Sequence, residues 1–210
     1  IQYRIGNMEK TNELTGVHVE GHIKIFNPDT GHVFVNKRNA IHYENMSIAL
    51  AESLGNAGQG YIFEMAFGNG GTSVDPTGII TYLTPNSTGT NASLYNKTYS
   101  KVVDDQSVSN TDPTRNKIET RHVSGTNYTD IVVSCLLDYG EPNGQSAFDT
   151  ASNTEESYVF DELGLMSYAA TDAGKRLLTH VIFHPVQKSL NRLVQVDYTV
   201  RVQSLSGGNA

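Results

Sequence analysis

Two histidine pairs, His18/His22 and His180/His184, are spaced i, i+4. On a helix this spacing places two imidazoles over one metal ion. In a strand it separates the α-carbons by about 13 Å. Both pairs fall in strand-like sequence, so neither alone is read as a chelating unit. Acidic residues collect at Asp104-Asp105, Asp149 and Glu155-Glu156 in polar loops that suit a weak calcium contact, but EF-hand spacing is absent. Solvated loops are the reading adopted for them. Asp161-Glu162 differs, because it interrupts the apolar run YVFDELGL. Glu162 is expected either at an edge or buried opposite a cation such as Arg192. An acid/base pair would need a cleft. Gly68-Asn-Gly-Gly71 has the composition of a phosphate cradle, yet such a loop must open a helix. Here Val74-Asp75-Pro76-Thr77-Gly78 follows, which is another turn. The glycines are therefore read as a turn that uses positive φ angles. Cys135, the sole cysteine, lies in the strand run IVVSCLL and is read as a buried, inert thiol. No Gly-x-Ser-x-Gly elbow is present. No catalytic, cofactor-binding or metal-ligating residue is assigned, no cofactor is expected, and the chain is read as non-enzymatic.

The elements that carry these residues are mostly strands. Leu193 to Gln203 alternates: Val194, Val196, Tyr198, Val200 and Val202 share one face, and Gln195, Asp197, Thr199, Arg201 and Gln203 share the other. Val17 to Phe26 alternates likewise and leads through Asn27-Pro-Asp-Thr-Gly31 to Val33–Val35, which predicts a hairpin. One helix is predicted over 41–54. Asn39 serves as its cap, Gly55 as its left-handed end, and Ile41, Ile48 and Ala51 form the stripe against the sheet. Further strands are expected at 61–67, 79–83, 94–103, 118–123, 128–137, 158–165 and 177–184. Polar loops separate them at 84–93, 104–116, 138–157 and 166–175. Many antiparallel strands with one packed helix predict a mainly β fold, an antiparallel β-sandwich. The expected organisation is an extended N-terminal segment 1–16, a single sandwich domain 17–203 and a C-terminal tail 204–210.

The chain has 210 residues, a net charge of −7 and 38% hydrophobic content. That content is enough for one core of sandwich size. No Lys/Arg run is longer than Lys37-Arg38, so no nucleic acid partner is expected. No stretch approaches the ~20 apolar residues of a membrane helix, and no signal peptide is visible. Five Asn-x-Ser/Thr sequons are read as products of an Asn-, Ser- and Thr-rich composition.

The order of elements resembles that of minor structural proteins of tailed bacteriophages. The resemblance rests on a hairpin leading to Asn39-Ala-Ile41 and a short helix, then Met65-Ala-Phe-Gly-Asn-Gly-Gly-Thr72. Later come Glu162-Leu-Gly-Leu165, a strand from 177 to 183, and the terminal alternating strand. It covers residues 17 to 203. It implies a virion component, of tail-fibre or baseplate-attachment, neck or collar, or decoration type, that assembles with itself and with other virion proteins. It carries over no catalytic residues, and no repetitive shaft follows the module. The alternative is a carbohydrate-binding β-sandwich. The placement of Tyr61, Tyr128 and Tyr198 inside strand patterns favours core or interface use over exposed sugar platforms.

Overall fold

The computed structural model describes residues 16–142 and 157–205. The fold is mainly β, with two large antiparallel sheets and one α-helix. In chain order the elements are β1 (Gly16–Phe26), β2 (Val33–Arg38), β3 (Ala40–Ile41), α1 (Tyr43–Leu54), β4 (Ile62–Gly68), β5 (Thr72–Val74), β6 (Ile80–Tyr82) and β7 (Lys97–Val102). They continue as β8 (Lys117–His122), β9 (Tyr128–Leu137), β10 (Ser157–Ser167), β11 (Thr179–Ser189) and β12 (Val194–Leu205). The first sheet runs β2-β1-β12-β9-β8 and the second β3-β11-β10-β4-β7. Strands β5 and β6 pair only with each other.

The core lies where the inward faces meet. Val194, Val196, Tyr198 and Val200 of β12 are buried, as their alternation requires, and pack with Ile23, Ile25, Val133 and Cys135 of the same sheet. Leu163, Leu165, Phe67 and Phe160 answer them from the second sheet. Val202 departs from the expectation and is only half-buried. The outward face of the second sheet is not left to solvent. Residues 69–96 fold back over it, and Leu94 packs on Ala66 and Leu177 in a small satellite cluster.

Several boundaries differ from the sequence reading, each for a physical reason. The helix begins at Tyr43, not Ile41, because Ala40 and Ile41 pair with His180 and Thr179 of β11 as the short strand β3. His42, not Asn39, is the N-cap, its Nδ1 accepting from the Asn45 amide at 3.2 Å. The inward stripe of α1 is Asn45, Met46 and Ala49, so Ala51 is exposed and Ile48 half-exposed. Gly55 is not left-handed; Asn56 takes the positive φ of 51°. Strand β5 escaped a reading that saw only glycine turns there. Strand β12 runs to Leu205, paired with Gly16, so Gly16, Ser204 and Leu205 belong to the sheet rather than to flanking segments. The expected extended segment before Gly16, the tail after Leu205 and most of the 138–157 loop lie outside the described residues.

Candidate functional site

Asp161 and Glu162 lie where β10 and β11 lose register. Phe160 pairs with Val186 but Glu162 pairs with Ile182, so Asp161 alone stands opposite three residues of β11, Phe183, His184 and Pro185, and the bulge's extra residues are on β11. A bulge re-aims side chains, and both carboxylates turn to the covered outer side. Pro185, which has no N–H to give, sits in the irregular stretch opposite. Asp161 accepts from the Gly71 amide at 2.9 Å, from the Thr72 amide at 2.9 Å and from the Thr72 hydroxyl. Glu162 accepts from the amides of Gly70 at 3.1 Å, Asn96 at 2.8 Å and Tyr95 at 3.0 Å. Its fourth donor is His180 Nε2 at 2.9 Å. The cation expected opposite Glu162, Arg192, lies instead over the Phe34 ring.

The histidine roles follow from what faces each nitrogen. The Asn86 amide lies 2.7 Å from His180 Nδ1 and can only donate, so Nδ1 carries a lone pair and Nε2 carries the proton given to Glu162. His42 repeats this scheme: Nδ1 accepts from Asn45, and Nε2 donates to the Gly89 carbonyl at 2.9 Å. Four side chains thus latch residues 69–96 onto the sheet: Asp161, Glu162, His180 and His42. Glycine is required at 68, where a Cβ would stand 2.5 Å from both the Asn96 carbonyl and Glu162 Oε1.

Burial pushes both carboxyls up in pKa. For Glu162 the bonds from His180, Asn96, Tyr95 and Gly70 outweigh it, and the group is held below the usual carboxylate range. For Asp161 burial prevails over its bonds from Thr72 and Gly71, the adjacent Glu162 charge adds to it, and the group lies above its usual value.

The remaining flagged residues are scattered. His18 is half-buried and His22 exposed on β1; His184 is exposed, 3.3 Å from the Tyr82 hydroxyl. Among the described residues, no three His, Cys, Asp or Glu side chains come together as metal ligands. Asp149, Glu155 and Glu156 lie outside the described residues. Cys135 is fully buried, and burial pushes its thiol up to about 12. No family model, curated protein or solved structure matches this chain.

A second feature lies at the opposite end of the sheets. A cavity of about 360 Å³ opens between α1 and the sandwich, lined by Met46 and Leu50 of the helix, Ile62 of β4, Ile131 of β9, and Val200 and Val202 of β12. Asp104, Asp105 and Ser53 stand among its lining residues, as does Tyr61. Of the core or interface use expected for Tyr61, the core use does not hold. Tyr61 is 41% exposed and stacks on Tyr168 with centroids 4.9 Å apart. The sequence gives no signal for this cavity, because its walls come from elements far apart in the chain.

Proposed function

We propose that this chain is a structural component of a tailed bacteriophage particle and acts through protein–protein contact rather than catalysis. The observation that carries the reading is the β5–β6 ribbon. Val74, Ile79, Tyr82 and Leu83 are 62%, 63%, 50% and 42% exposed there. Exposed apolar side chains grouped on one element mark a contact surface. The ribbon is also held rigid. Thr72 at its root is tied to Asp161, Leu83 donates to the Gly71 carbonyl at 2.9 Å, and the Asp75 carboxylate organises its tip by accepting from the Thr77 and Ile79 amides. A preorganised surface loses little entropy on association. The latch residues meanwhile spend their hydrogen-bonding capacity inside the fold. The resemblance of the element order to virion proteins supplies the setting, with neighbouring virion proteins or further copies of the chain as partners.

The test is the double variant Val74→Asp/Ile79→Asp. These exposed sites tolerate charge, so melting should be unchanged. Incorporation into particles should fall sharply, and normal incorporation would defeat the proposal.

The carbohydrate-binding alternative draws support from the stacking of exposed Tyr61 on half-buried Tyr168 beside Asp104. It requires saccharide binding that Tyr61→Ala abolishes.

A further inference from the structure

The cavity beneath α1 is walled mostly by apolar side chains. Ile62, Ile118, Ile131 and Val202 line it, and all remain partly exposed. Val202 is the telling case, since the four alternating positions before it in β12 are buried. At about 360 Å³ the space falls within the ~300–1,000 Å³ range of small-molecule sites. Met46 adds a flexible thioether, which adapts to irregular shapes. The charge in the lining has one sign. Asp104 and Asp105 are its charged residues; both are half-buried, and neither forms an ion pair among the described residues. Asp104 is also fixed in place. Its amide donates to the Phe63 carbonyl at 3.1 Å, its carbonyl accepts from Asn110 Nδ2 at 3.1 Å, and its Oδ1 accepts from the Gln106 amide at 3.0 Å.

We propose that the cavity binds a small organic cation, an alkyl or aryl body bearing one ammonium group. The body packs against Ile62, Ile131 and Val202, and the ammonium faces Asp104 and Asp105. Burial of the body removes apolar surface from water on both sides. The two acids supply the complementary charge, and a partly desolvated site strengthens that attraction over its value in water. Tyr61 lines the same cavity, and an aromatic ring suits an organic ammonium. An anionic ligand would meet two carboxylates. A sugar would leave its hydroxyls against apolar walls.

Isothermal titration calorimetry tests this with three probes of one shape: phenylbutylammonium, phenylbutanol and phenylbutanoate. The cation should bind about fivefold more tightly than the alcohol, and the carboxylate most weakly. In Asp104→Asn/Asp105→Asn, which keeps an acceptor for the Gln106 amide, the cation should fall to the affinity of the alcohol while the alcohol is unchanged. Added salt should narrow the cation's lead in the wild type. Val202→Trp, which fills the cavity, should abolish binding of all three, with circular dichroism confirming the fold. Leu50→Trp fills it from the helix side should Val202→Trp not fold. Equal affinity for the cation and the alcohol overturns the proposal. So does a preference that survives the double Asn variant, or binding that survives the filled cavity. Failure of all three probes to bind, as when a second copy of the chain occupies the cavity, overturns it as well.

Discussion

Glu162 is fully buried, and its two oxygens receive four donors, three of them backbone amides. Removing the carboxylate by Glu162→Ala would strand those amides. Each buried orphan costs about 1–3 kcal/mol, so the loss should be among the largest of any single substitution here. Urea unfolding measures it, and a change within error of zero would mean that the latch does not hold the cover. The two acids should also titrate in opposite senses from their ordinary values. Carboxyl NMR should show Asp161 protonating at higher pH than an ordinary aspartate and Glu162 at lower pH than an ordinary glutamate. Glu162, depressed in the folded state, contributes stability above its unfolded pKa of about 4.3, and that contribution is lost as pH falls through its lower folded value. The acid pair, His180 and the glycine loop all stand out in the sequence. Their meeting does not, because a bulge aims the carboxylates and Pro185 is its sole written trace.

Strands were legible where one face is dry and the other wet. The alternation in β1 and β12 marks the center of the first sheet directly, and β9 spans the residues expected of it. Legibility failed where tertiary pairing overrode local preference. Ala40 and Ile41 extend an apolar helical pattern, yet β11 offers them backbone partners. Strand β10 shows a further constraint that composition hides. Gly164 sits mid-strand, where glycine ordinarily weakens a sheet. A Cβ there would strike the Thr179 carbonyl and stand 2.6 Å from Leu177 Cδ1. Gly164→Ala should therefore destabilise the fold rather than strengthen the strand, because backbone must move to admit the methyl. Thermal melting checks this, and a raised melting temperature would contradict the close packing of β10 on β11.

At the scale of the whole molecule, the two ends of the sandwich have different tasks. Near one, the segment latched over the outer face of the second sheet carries the exposed apolar side chains of the β5–β6 ribbon. The other holds the cavity, and the chain enters and leaves the first sheet there, with Gly16 paired to Leu205. Neither arrangement could be read from periodicity, which reports the face a residue occupies but not the distant segment that covers it. The chain after Leu205 offers a separate test of assembly. Its last strand keeps its pairing when the cut falls beyond the sheet, so deleting 206–210 should leave the melting temperature of the isolated protein unchanged. If the chain's ends dock onto neighbouring virion proteins, particles assembled with the 206–210 deletion should retain less of the protein than wild type, as read by quantitative mass spectrometry of purified particles. Equal retention would assign attachment to the ribbon and the loops alone.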